Sequence, residues 1–261
     1  MAQEVAHHHP GEHEVSVWPL PVGISILLTP VSITAYFAWD SPMLALVMGG
    51  IAVVLGVIGL AGWANEFFTK GHEEGFGNLA IYLFILSEII IFGTVFAAFW
   101  MSRAIHSEVW VSQWIPEAMN LKMPVILTLI LWASSFTILK AEGAMHHGNR
   151  EKAVMFLLAT MFLGVLFTVL HVMEWTHLWE TGFTLSSNMY GTGFYTLTGI
   201  HTSHVLVGVI LQAYVLFFTL AGKITPERIT IFRTTGAYWH FVDVMWLLVA
   251  STAYLVGGMK I

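Results

Sequence analysis

An all-α integral membrane bundle of seven transmembrane helices is the fold this sequence predicts, on three observations. Of its 261 residues, 57% are hydrophobic and 10% charged, with a mean hydropathy of +0.75, whereas a soluble domain carries about 25% charged residues. Seven apolar runs are each long enough to cross about 30 Å of hydrocarbon, which takes roughly 20 residues. The segments between them are short, so no water-soluble domain fits between the crossings, and every backbone polar group in the spans must pair inside a helix.

Residues 1–17 form a polar N-terminal tail containing His7, His8, His9 and His13 and no Lys or Arg. It does not read as a secretory n-region, and a solvated tail accounts for its histidines more simply than a metal-binding tract. Residues 18–261 are the membrane domain, with helices 1 and 2 at 18–64 and helices 3 to 7 at 78–257. The runs are 18–39, 42–64, 78–101, 123–144, 153–179, 191–221 and 235–257. Pro10, Pro19 and Pro21 fit an extended approach to the first helix, with Trp18 at the headgroup level where indoles settle. The fifth and sixth runs exceed the bilayer thickness and predict tilt or protrusion. Gly56, Gly59 and Gly62 on the second run, Gly164 on the fifth, and Gly199, Ser203 and Gly208 on the sixth let backbones approach where lipid supplies no hydrophobic drive.

Seven crossings place Lys70, Lys140, Arg150, Lys152, Lys223, Arg228 and Arg233 on the side of the N-terminus, and Arg103, Lys122 and Lys260 opposite. That excess predicts a cytoplasmic or matrix N-terminus. A net charge of −6 with 10 basic residues leaves no footprint for nucleic acid. The absence of cysteine excludes disulfides, iron–sulfur clusters and thiolate zinc sites.

Three acidic residues lie at membrane depth: Glu88 in the third run, Glu174 in the fifth and Asp243 in the seventh. An acid at the bilayer centre costs roughly 3 kcal/mol on insertion scales, so it faces protein or a wet cavity, and hydrogen bonding or proton exchange is its default role. Histidines accompany them at helical spacing: His171 precedes Glu174 by three, His201 precedes His204 by three, and His240 precedes Asp243 by three. Four helices bearing carboxylates and imidazoles also fit a di-metal bundle in residue type. Their depths differ, however, which favours a proton and hydrogen-bond network over a metal centre. His106, His146, His147 and His177 stand near helix ends.

The strings Tyr238-Trp239-His240-Phe241-Val242-Asp243-Val244-Met245-Trp246 and Thr198-Gly199-Ile200-His201-Thr202-Ser203-His204-Val205, the Ser87–Glu88 pair followed by Phe92 and Phe96, and Trp18-Pro19-Leu20 together resemble subunit III of cytochrome c oxidase. The resemblance runs from about residue 18 to 257. It implies an accessory, non-metal-binding subunit of a proton-pumping oxidase in aerobic respiration, with haem and copper held by partner subunits and no catalytic centre in this chain. It also implies direct packing on subunit I, with subunit II in the same complex and cytochrome c as the complex's substrate. In this family the first two helices splay from the other five to form a V-shaped cleft that holds phospholipid. Glu88 matches the family's carbodiimide-reactive membrane carboxyl. Trp63, Glu174 and the His201–His204 pair carry over as cleft or bundle residues, and Lys223, with Arg228 near by, matches a basic residue beyond the sixth helix. The expected lipid contacts are thus Trp18, Trp63, Glu88, Lys223 and Arg228. Relatives carry a double Trp and a basic residue after the second helix, where this chain reads Gly62-Trp63-Ala64-Asn65-Glu66.

Three other readings stand beside this one: subunit III of a quinol oxidase, a membrane di-metal oxygenase using the His and carboxylate pairs, and an autonomous proton or solute channel. A bacterial inner membrane is the expected location, with the mitochondrial inner membrane as the alternative.

Overall fold

A computed structural model describes residues 17–37, 39–70, 76–226 and 229–257. The histidines of the N-terminal tail, His72, Arg228 and Lys260 lie outside the described residues. The described residues are helical with short connections and contain no strand. The chain folds into two compact units that divide between residues 72 and 73.

The first unit is a hairpin of α1 (Pro19–Phe37) and α2 (Pro42–Lys70). Small residues set its register. A Cβ added at Gly49 would lie 2.9 Å from Ser32 Oγ, at Gly56 2.8 Å from Ser25 Oγ, and at Gly59 2.8 Å from Val22 and 3.0 Å from its backbone nitrogen. The Trp18 ring covers Gly62, and Ser32 Oγ donates to Ala45 O across the pair at 2.8 Å. Hydroxyls over glycines let the backbones approach by van der Waals contact, the force that holds helices together in lipid. A test follows from the lack of cysteine. The Gly49 Cβ position lies 3.8 Å from Ser32 Cβ, inside the disulfide range of about 3.5–4.5 Å. The double variant Ser32→Cys, Gly49→Cys is therefore expected to crosslink under mild oxidation, read as a mobility shift reversed by reductant. A pair shifted by one residue, Ser32→Cys with Gly50→Cys, is expected to crosslink poorly, and equal yields from both would refute the register.

The second unit is a bundle of α3 (Phe76–Ile105), α5 (Lys122–His146), α6 (Arg150–Glu180), α7 (Met189–Leu220) and α8 (Thr230–Ala250), with a single turn α4 (Ser107–Val109) and π-helical segments at Trp110–Trp114 and Ser251–Val256. Hairpin α5–α6 turns on Gly148 at φ +72°, a left-handed residue that glycine adopts without a Cβ clash. Asn149 then caps α6 by accepting from Lys152 N, and Asn188 caps α7 by accepting from Gly191 N.

Helix α8 is the hub, packed against α3, α5 and α7. The fully buried Trp239 indole lies against Gly164 of α6 and Gly208 of α7 and donates Nε1–H to Ser134 Oγ of α5 at 2.9 Å. Two turns on, Trp246 donates to Thr128 Oγ1 of α5 at 2.9 Å and packs edge-on to Phe167 of α6. Of the small residues expected at close contacts, Gly56, Gly59, Gly62, Gly164 and Gly208 meet a neighbour, while Gly199 has nothing within 4 Å and Ser203 is exposed.

Among the described residues, six helices are long and apolar enough to cross a membrane: α1, α2, α3, α5, α6 and α7. Helix α8, expected as the seventh crossing, does not pass by composition. It carries Arg233, His240 and Asp243. Neighbouring helices bury Asp243 and half-bury His240, while Arg233 is half exposed and pairs with Glu142 at 3.4 Å.

Candidate functional site

The polar side chains inside the five-helix unit define the site. Glu88 of α3 meets His204 of α7, with Oε2 and Nε2 2.9 Å apart and the side chains 13% and 17% exposed. The other ring nitrogen, Nδ1, faces the Ile200 carbonyl at 2.8 Å. A carbonyl only accepts, so Nδ1 carries a hydrogen. A hydrogen must then also lie between Nε2 and Oε2, given either by a neutral glutamic acid or by an imidazolium to a carboxylate. Either way the pair has no net charge and holds one exchangeable proton. Phe92 packs against the imidazole at 5.0 Å with its ring tilted by 57°, and Tyr238 donates to His204 O at 3.2 Å.

A second group lies between α6 and α7. Thr202 donates to Thr198 O at 2.8 Å, so its oxygen accepts from His171 Nδ1 at 3.0 Å. Glu174 accepts from Tyr254 of the π segment at 2.7 Å, and its Oε2 is 4.0 Å from His171 Nε2, beyond hydrogen-bond range. His201 is fully buried beside Phe167 and Trp246. The π segment explains how Tyr254 is placed: widening the helix to an i→i+5 bond, Gly257 N to Thr252 O, leaves carbonyls for side chains. Ala253 O accepts from Tyr190, and Gly257 O accepts from Arg103 and Trp110.

The spacing that put His171 with Glu174, His201 with His204 and His240 with Asp243 places each pair on one face, yet none of the three hydrogen-bonds internally. His240 turns to Ser135 of α5 at 2.9 Å, and both oxygens of the buried Asp243 lack a partner among the described residues. Thr202, Tyr254 and Ser135 are the partners that sequence reasoning overlooked. Thr202 was visible inside the His201–His204 string, but Tyr254 and Ser135 stand on other helices with no sequence signal.

Of the expected lipid contacts, Trp18 covers Gly62, Trp63 is 45% exposed on α2, and Lys223 sits just beyond α7 with Nζ 5.7 Å from the Phe218 ring. Arg228 lies outside the described residues. Among the described residues, no group of three or more His, Asp or Glu side chains is arranged to hold a metal ion.

A family model described as "Cytochrome c oxidase subunit III" matches residues 9–258. Proteins named cytochrome c oxidase subunit 3 are similar over nearly the whole chain. The one from Oryctolagus cuniculus is 30% identical over 93% of this chain and 95% of its own length. Those from Scyliorhinus canicula and Pisaster ochraceus are each 31% identical over 97% of this chain and the full length of the relative. With the bundle, its intramembrane carboxyl and these matches in hand, the chain belongs to the cytochrome c oxidase subunit III family.

Proposed function

We propose that this chain serves a cytochrome c oxidase as its accessory subunit III in a multi-pass inner-membrane complex, and that the Glu88–His204 pair takes part in supplying protons to that complex. Family membership and the cytochrome c oxidase names of the relatives carry the first half and favour it over a quinol oxidase, an oxygenase or a channel. The single observation that carries the second is the 2.9 Å contact between two groups that must share one proton. Moving the proton between Oε2 and Nε2 leaves the net charge of the pair at zero, and handing it on leaves a charge of −1, costly at membrane depth, until a second proton arrives, which couples uptake to release.

The finer features belong to the same proposal. Helix α8 and its π continuation make the seventh crossing, supported by their combined length and buried position. The excess of Lys and Arg supports an N-terminus on the cytoplasmic or matrix side, and the polar tail at 1–17 supports a bacterial plasma membrane. A phospholipid-holding cleft involving Trp18, Trp63, Glu88, Lys223 and Arg228, and direct packing on subunit I, rest on the family resemblance.

Glu88→Gln tests the proton role. The amide keeps shape and can donate to His204 Nε2, so the complex is expected to assemble normally while proton uptake during turnover slows severalfold, read with a pH-indicating dye against electron flux. Normal assembly with unchanged uptake would refute the proton role and leave family membership intact.

A further inference from the structure

We infer that the interface of α6 and α7 holds internal water, bound by His171 Nε2, Trp175 Nε1 and the two ring nitrogens of His201. All four atoms are buried and lack a hydrogen-bond partner among the described residues, and His171 and His201 are both fully buried. They belong to one cluster. The His171 ring lies 4.9 Å from Trp175 and 5.2 Å from Trp246, the His201 ring lies 5.0 Å from Trp246, and Phe167 touches both imidazoles at 5.5 and 5.6 Å.

The donor and acceptor pattern identifies the ligand. Because Thr202 receives the Nδ1 hydrogen of His171, Nε2 of the neutral ring is a bare acceptor, while Trp175 Nε1–H is a bare donor. His201 adds one of each when neutral. A metal ion satisfies acceptors but repels the indole N–H, and an anion satisfies donors but not the bare nitrogen of His171. Water does both. Leaving such atoms unpaired costs about 1–3 kcal/mol each, and buried water typically makes about three hydrogen bonds to groups of this kind. The 4.0 Å gap between His171 Nε2 and Glu174 Oε2 is too long for a direct bond and short enough for one molecule to span. Glu174 also lines a cavity of about 310 Å³ with Asn120, Lys122, Met173 and His177. On the other side, His201 shares a face of α7 with His204, so the hydrated site adjoins the Glu88 pair.

The site is a property of the bundle and stands independently of the proton role given to Glu88. Two measurements on the intact complex test it. A density map fine enough to show ordered water is expected to place at least one molecule within hydrogen-bond distance of His171 Nε2 and one at His201. X-ray hydroxyl-radical labelling, in which internal water oxidises the side chains it touches, is expected to mark Trp246 at least about fivefold faster than Trp239, both indoles being fully enclosed, and the partly buried Trp175 faster still. His201→Phe should lower that labelling toward the Trp239 rate, and His201→Gln, which keeps polar atoms, should retain it. A dry map, or labelling of Trp175 and Trp246 no faster than Trp239, overturns the inference even if His201→Phe fails to assemble.

Discussion

Trp239→Ala is expected to be the most damaging single substitution in the five-helix unit. The indole is fully buried and touches α6 at Gly164 and α7 at Gly208 while bonding to α5 at Ser134, so its removal opens a cavity at the meeting point of four helices. Truncating a buried aromatic residue costs about 3–5 kcal/mol. At roughly 2–4 °C per kcal/mol for a unit of this size, the melting temperature of the subunit within its complex should fall by about 10 °C. Trp239→Phe separates packing from polarity. It loses the bond to Ser134, worth about 1 kcal/mol, while Ser134 still donates to Leu131 O. Gly208→Ala approaches the same joint from the other side, since its Cβ would sit 2.6 Å from two indole atoms and overpacking costs about 1–3 kcal/mol. Should Trp239→Ala melt within 2 °C of the native subunit, a margin of about 1 kcal/mol, the hub assignment is wrong.

Gly59→Leu should open the first hairpin. The added Cβ alone would meet Val22 Cγ2 at 2.8 Å, the Val22 backbone nitrogen at 3.0 Å and Pro21 at 3.1 Å. Backbone and a proline ring do not swing aside as a flexible chain end does, so α1 and α2 must separate. A cost of about 1–3 kcal/mol from the clash corresponds to a roughly 5- to 150-fold loss of helix pairing. The readout is the Ser32→Cys, Gly49→Cys crosslink, whose yield should collapse when Gly59→Leu is added. Each helix stays in the membrane, since its own backbone bonds are unaffected. An unchanged yield would place the contact elsewhere.

The helices were legible because apolar length is a local property. The first two predicted runs, 18–39 and 42–64, lie close to α1 and α2, although α2 continues to Lys70. Hydropathy finds the hydrocarbon limit, whereas a helix goes on pairing its backbone in water past Asn65 and Glu66. The seventh run, 235–257, overlaps α8 and its π continuation, although α8 is not among the six described helices that are long and apolar enough to cross a membrane. Glu88 stood out as an acid within an apolar run. Its partner did not, because the i,i+3 rule points His204 toward His201 on its own helix.

By itself, the sequence established the class of molecule, the depth of its acids and the family whose strings it carries, since composition, run length and contiguous motifs need no knowledge of where other segments lie. Only the tertiary structure decided that Glu88 bonds to His204, that His240 turns from Asp243 to Ser135, and that Tyr254 reaches Glu174. Those pairings depend on the rotation and axial offset of helices far apart in sequence, and turning one helix by a single residue, about 100°, would exchange every partner.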